Sequence, residues 1–391
     1  MFTGFYIRNF KSLVDFRITL SPLTTIVGDN AVGKSTFLQA FDFMLKSVEE
    51  DFDVVLERRG LHYNDILSKY TEDKEVFLEC ESVVPIEDKE ENIRWSIRLA
   101  YEDSSAKTVL LEECVKDIDA GDILLDYVAG KRFMVKQGKT QAIIPGVKSY
   151  SSAMKLIDIL NVDNRLKTLM TNVKNTKIFD VLEPRKLTAS YDKTYKNYFN
   201  ENLPALIKNM NSAQKSLFAE GIGYILSDRF KDVEVYMDSD KKALLAKVKE
   251  KDGSREIDIS SNEMSYGIVR LFSIISIICS NTNNSIIAFD EIENGINHIS
   301  ARPLIEFLYG SVKNNGVQLI FSTQSEYFID FINKYDIVYF YRSKNEGTKA
   351  VRLFEIPEID AKTEYMYPGE VLLNLNPTEL ERIIEDAGKK E

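Results

Sequence analysis

The segment Gly28-Asp29-Asn30-Ala31-Val32-Gly33-Lys34-Ser35-Thr36 restricts the fold of this chain more than any other stretch. It has the spacing GxxxxGK[ST] and lies between the apolar run Leu23 to Val27 and a stretch, Ser35 to Lys46, whose apolar residues Phe37, Leu38, Phe41, Met44 and Leu45 recur at helical spacing. A strand, a glycine-bearing loop and a helix are therefore expected in that order. Such a loop lets backbone N–H groups from Asp29 to Thr36 wrap a phosphate at the start of a helix. Lys34 is then placed to reach the β- and γ-phosphates of ATP, and the Ser35 hydroxyl to ligate Mg²⁺.

Two further motifs carry chemistry. The apolar strand Ile286-Ile287-Ala288-Phe289 ends in Asp290-Glu291, where Asp290 is expected to hold magnesium and Glu291 to polarise the attacking water as general base. Upstream, Ser265-Tyr266-Gly267-Ile268-Val269-Arg270 opens the long apolar run that reaches Ile278. A hydroxyl and a glycine at a helix start suit an anion. They equally suit a plain N-cap by Ser265 or Ser261, and both readings stay open.

Composition removes other chemistries. With only two histidines, His62 and His298, a histidine-based nucleophilic triad is not expected, and any metal would be held by oxygen ligands, which favours Mg²⁺. Cys80, Cys114 and Cys279 are far apart and form no CxxC pair, so neither a disulfide framework nor a zinc site is suggested. No window offers the ~18 uninterrupted apolar residues of a membrane span, and MFTGFYIRNF lacks the layout of a signal peptide. A cytoplasmic protein is expected.

The net charge is −11 but uneven. Residues 131–215 hold 16 Lys/Arg and 6 Asp/Glu, a local charge of +10 that leaves −21 for the remainder. This block is either a solvated helical surface or a surface for nucleic acid or an acidic partner.

Along the chain, strands are expected at Phe5 to Phe10, Asp15 to Leu20 and Leu23 to Val27, then at Glu75 to Val84 and Arg94 to Tyr101, with the acidic run Glu87 to Glu91 joining the last two. Short helical stretches fill Ser151 to Phe218, read as an insertion. Strands return at Asp232 to Met237 and Lys241 to Val248, before a polar KDGSRE turn. A buried helix spans Ile268 to Ile278 and is followed by strand Ser285 to Phe289, a helix from about Ala301 to Tyr309, strand Val317 to Ser322, a helix near Tyr327 to Asn333 and strand Asp336 to Arg342. Alternating strands and helices in this last part point to a largely parallel sheet. Thr378 and Glu381 are placed to form a capping box for a C-terminal helix.

The order of these motifs resembles the ABC-type ATPases of the SMC/RecF/OLD class, especially the short OLD-like prokaryotic ATPases. The opening Asn9-Phe10-Lys11-Ser12 matches the strand that begins such chains. The resemblance covers residues 1–50 and about 255–342. It implies an α/β fold, an ABC-type ATPase head with a mixed or parallel sheet, an antiparallel β-subdomain and a helical insertion. On that pattern 1–130 and 231–356 form the head, 131–230 a basic, mainly helical insertion and 357–391 a helical tail.

The resemblance also implies an ATP sandwich in which Ser265 and Gly267 of one copy contact the γ-phosphate held by Lys34 of another. Glu293-Asn294-Gly295-Ile296-Asn297 fall at the D-loop, with Asn297 where a histidine often stands. Ser322-Thr323-Gln324-Ser325 stand where the class has Thr-His-Ser, so Gln324 replaces a histidine that senses the γ-phosphate. A glutamine amide can hydrogen-bond phosphate or water but cannot become a cation, which implies slow turnover or an ATP-bound clamp. Gln137, Gln141 and Gln214 remain alternatives for a Q-loop residue.

OLD-like relatives often carry a TOPRIM nuclease, but beyond Asp330 the chain shows no Asp-x-Asp pair at a strand end. The implied role is a switch or scaffold that engages a second copy of itself and regulates a separately encoded effector, such as a TOPRIM-type nuclease, in anti-phage defence. The alternative is a RecF-like clamp that binds DNA through residues 131–215.

Overall fold

Alternation of apolar and polar residues marks residues 2–19 and much of 76–144, and in the computed structural model of the chain these segments build one antiparallel sheet. The structure describes residues 1–391 except 88, 138–139, 160–161, 181, 183–186, 192–201, 227–228, 241–242, 253, 282–284, 344–345 and 389–391. The chain divides into two compact units, one of Met1–Ile178, Lys334–Glu364 and Leu375–Glu391, the other of Phe179–Asn333 and Tyr365–Asn374.

In the first unit the sheet runs, in spatial order, Leu13–Thr19, Phe2–Phe10, Val76–Ile86, Lys89–Glu102, Lys107–Asp117, Ile123–Val128, Arg132–Gln137 and Thr140–Ile144. A row of directly opposed residues crosses it: Ile18, Phe5, Cys80, Trp95, Val115, Leu125 and Val135. All seven are buried, which fixes the register, because a one-residue slip in any strand would turn its apolar face to solvent. The helix Lys34–Lys46 packs Phe37 and Phe41 edge-on against Phe5, with ring centroids 5.9 and 5.0 Å away. Strand Leu23–Val27, buried at every position, pairs in parallel with Ile337–Ser343, Thr25 lying opposite Ile337.

Several expected boundaries move. Residues 131–144, read as part of a mainly helical insertion, form the outer hairpin Arg132–Gln137 and Thr140–Ile144. The lysine-rich composition hid an alternating pattern whose buried members are Phe133 and Val135. Helices do occupy Asn164–Lys174, Leu203–Asn209 and Ser212–Leu226, but strands Thr176–Phe179 and Ala189–Tyr191 interrupt them. The acidic run is mostly strand rather than connection, since pairing resumes at Lys89 opposite Ile86. The C-terminal helix spans Pro377–Gly388 and the Leu380 N–H donates to the Asn376 carbonyl at 2.9 Å, so Thr378 lies within the first turn rather than at the expected N-cap.

The carboxylate of Glu113 is enclosed in this unit. Glu113 accepts hydrogen bonds from Trp95 Nε1 (2.7 Å), the Ser152 hydroxyl (2.6 Å) and the Ala153 N–H (2.5 Å). Burial nevertheless dominates and pushes its pKa from 4.5 up to about 7. Below pH 4.5 the carboxyl is protonated whether the chain is folded or not. Between 4.5 and 7 only the unfolded chain sheds the proton, so stability falls as pH rises through that window and levels off above it. The expected loss is about 3 kcal/mol. Thermal melts of the wild type and Glu113→Gln from pH 4.5 to 8 check this: the wild type should lose stability relative to the variant, and parallel curves would contradict it.

The second unit pairs Ile286–Phe289 in parallel with Gln318–Ser322, Ile286 lying opposite Gln318. The helix Tyr266–Ser280 is buried from Val269 to Cys279. Each enclosed Ile, Leu or Phe contributes about 1.5–3 kcal/mol, so packing holds this helix although its start has no side-chain cap bond. Helix Ala301–Asn315 runs longer than expected, and the one near Tyr327 shortens to Glu326–Ile329. Phe230–Asp238, Ala243–Asp252 and Arg255–Ser260 form an antiparallel sheet with Ala189–Tyr191, so the KDGSRE turn leads straight into another strand. The architecture is mixed α/β with parallel strands and an antiparallel β-subdomain. No described helix is long and apolar enough to cross a membrane.

Candidate active site

The loop after Leu23–Val27 turns through a series of left-handed backbone conformations, with φ of 145° at Gly28, 61° at Ala31 and 107° at Gly33. Gly33 is the N-cap of Lys34–Lys46. A β-carbon there would lie 2.7 Å from both the Ser12 and Thr348 hydroxyl oxygens, so only glycine fits. That contact explains the opening motif. Asn9 and Lys11 adopt positive φ to turn the chain, and the Asn9 amide donates to the carbonyls of Asp73 and Glu75, both at 2.8 Å. Ser12 is thereby set beneath the loop, and Thr348 Oγ1 lies 2.6 Å from the Val32 carbonyl oxygen. Lys34 is 5% exposed, and its Nζ donates to the carbonyls of Gly28 (2.7 Å) and Asp29 (2.8 Å). Asp29, Asn30, Ala31 and Ser35 are exposed, Thr36 half-buried, and Val32 buried as the loop's apolar anchor. A nest of backbone N–H groups at a helix start, beside a confined lysine, fits a phosphate chain.

The second unit brings together Asp290, Glu291 and Gln324. The Ser322 hydroxyl donates to the Asp290 carboxylate and accepts from the Glu291 N–H at 2.7 Å, so one buried side chain fixes both acids. Phe179 supports the strand end: its carbonyl accepts from the Asp290 N–H at 2.9 Å and its ring stacks on Phe289 at 5.3 Å. Glu291 has φ 48°. Gln324 Nε2 donates to Glu291 Oε1 at 3.2 Å, and its own N–H donates to Glu293 Oε1 at 2.7 Å. The residue in the histidine position therefore touches the acid expected to act as base. Ser322 was named only as the first residue of the segment containing Gln324, and its hold on Asp290 and Glu291 carries no mark in the sequence.

Ser265 begins the buried helix, is exposed, and its side chain makes no cap bond. Ser261 does not cap either: its hydroxyl donates to the Thr188 carbonyl at 2.6 Å. Gly267 approaches the turn at Gly295 so closely that a β-carbon would sit 2.5 Å from the Gly295 carbonyl oxygen. Asn297 caps the short helix His298–Ser300 by accepting from the Ile299 N–H at 3.1 Å. Among the Q-loop alternatives, Gln137 and Gln141 lie in the outer hairpin, and Gln214 Nε2 donates to the Ser280 carbonyl at 3.1 Å.

A glycine loop with a confined lysine at the start of a helix is the arrangement of a P-loop nucleotide-binding domain. A family model described as "AAA ATPase domain" matches residues 1–220, more than half of the chain, and the chain belongs to that family. A second, described as "AAA domain, putative AbiEii toxin, Type IV TA system", matches residues 180–330. No curated protein matches the chain. Among solved structures it is similar to an Smc head bound to the C-terminal winged-helix domain of ScpA, with a TM-score of 0.56, 14% identity, and 90% of this chain and 97% of that one covered. An Smc head with an extended coiled coil, bound to the C-terminal domain of ScpA from Pyrococcus furiosus, gives 0.55 and 13%, covering 93% and 99%. At such identities the likeness shows the fold: a mixed α/β head.

Proposed function

We propose that the chain is a nucleotide-dependent switch in which two copies engage through ATP and thereby control a separately encoded effector. One observation carries it: a helix packed almost entirely in the core presents an exposed, uncapped Ser265 and its neighbouring Gly267 at its start, a surface suited to an anion brought by another molecule. Bound Mg²⁺-ATP supplies the phosphoanhydride bond and neutralises charge on its own oxygens. Lys34 and the N–H groups from Asp29 to Thr36 hold the phosphates, Ser35 and Asp290 hold the metal, and Glu291 accepts a proton from water. Gln324 orients that carboxylate.

The effector is of the TOPRIM nuclease type and the setting is defence against phage. Support comes from the motif resemblance and from the toxin-system description of the family matching residues 180–330. A clamp binding DNA through residues 131–215 has less support. Arg132, Lys136, Lys148, Lys155 and Arg165 are paired with Asp126, Asp122, Glu102, Asp51 and Asp117, acids outside that block. Much of its apparent charge is neutralised within the fold.

Mixing two defective variants tests the engagement. Ser265→Arg spoils the surface presented to a partner, and Lys34→Ala spoils phosphate holding. A mixed pair restores one intact composite site, so an equimolar mixture should recover about a quarter of the wild-type ATPase rate while each variant alone is inactive. Absence of any recovery between two folded variants would contradict engagement through a shared nucleotide.

A further inference from the structure

Arg270 carries a charge into the core. It is 2% exposed and is the fifth residue of the helix Tyr266–Ser280. Its Nη1 donates to the Leu182 carbonyl at 3.0 Å and its Nη2 to the Glu291 carbonyl at 2.6 Å, while its buried Nε has no partner among the described residues. Burial draws its pKa below the ordinary arginine value, and the carboxylates of Glu293 and Glu291 oppose that shift. A guanidinium at this depth is tolerated only where acceptors hold it, and the shorter of its two hydrogen bonds goes to the main chain of the acid at the strand end.

That acid is held from both sides. The Glu291 N–H is fixed by Ser322, and its carbonyl accepts from Arg270 and from the Asn294 N–H at 3.1 Å. The two peptide groups flanking its Cα are thus pinned in a left-handed conformation that glutamate does not favour, with φ 48°. The helix that supplies Arg270 also presses Gly267 against the Gly295 carbonyl, one turn beyond Glu291. The helix start and the acid loop therefore touch at two points, one polar and one steric.

We propose that Arg270 is a positioning residue: it sets the backbone of Glu291 and so couples the aim of that carboxylate to the start of the helix bearing Ser265 and Gly267. A ligand that pulls on this helix start then moves the acid in the same chain. The inference rests on the reading of Glu291 as the general base.

The test is a double-mutant cycle on the full chain with Mg²⁺-ATP, measuring kcat, KM and single-turnover rates. Arg270→Met should lower kcat about 30- to 300-fold and change KM less than about threefold. Arg270→Lys, whose ammonium reaches one acceptor at a time, should fall between it and the wild type. Combined with Glu291→Gln, Arg270→Met should remove less than a further threefold, because the group it positions is already disabled. An unchanged kcat in Arg270→Met, or a double variant showing the product of the two single losses, overturns the proposal. If Arg270→Met does not fold, Arg270→Lys carries the same cycle. A wild-type protein that bound ATP without hydrolysing it would remove the base assignment and the inference together, whereas a hydrolysing wild type with multiplicative losses removes only the coupling.

Discussion

Lys34→Ala should lower ATP affinity by about 100-fold or more, read by calorimetric or fluorescence titration. The side chain is nearly enclosed and already directs its ammonium along the loop, donating to Gly28 and Asp29 at 2.7 and 2.8 Å. On nucleotide binding these carbonyls would be exchanged for phosphate oxygens. Hydrogen bonds to charged groups contribute about 1.5–3 kcal/mol each, and two of them amount to at least a hundredfold in affinity. The loop itself should survive, because its shape depends on Gly33 packed against Ser12 and Thr348. A folded Lys34→Ala protein with wild-type affinity would remove the phosphate assignment for the whole segment from Asp29 to Thr36.

Glu291→Gln should have the opposite signature: binding retained within about threefold and hydrolysis reduced about 10²- to 10⁴-fold, the contribution of a placed general base. The exchange is nearly isosteric. Ser322 and Arg270 hold the main chain of residue 291, so the new amide should occupy the position of the carboxylate. Its partner Gln324 donates to the Oε1 atom at 3.2 Å and can donate equally to an amide oxygen. A hydrolysis rate equal to that of the wild type would assign the base elsewhere.

The strand, glycine loop and helix from Leu23 to Lys46 were legible because every part of them is local. A five-residue apolar strand, two glycines five positions apart and a helical repeat beginning at Phe37 occupy 24 consecutive residues, from Leu23 to Lys46. The buried helix and the strand ending in Asp290-Glu291 were legible for the same reason. What escaped depends on partners far away in sequence. Ser322 acts on an acid 32 residues earlier, and Ser12 meets Thr348 across 336 positions. The pairing of charges in residues 131–215 was hidden in the same way, since Lys148 is paired with Glu102 and Lys155 with Asp51, which no count within the block can reveal. The hairpin 132–144 was obscured because polar side chains on its open face outnumber the buried Phe133 and Val135.

The central claim is that ATP makes two copies engage, and the most direct measurement is the mass in solution of Glu291→Gln with and without Mg²⁺-ATP. The expected result is a doubling or higher multiple of mass that requires nucleotide and disappears when Ser265→Arg is added to the same chain. The same mass in both conditions, from a protein shown to have bound ATP, would contradict the account.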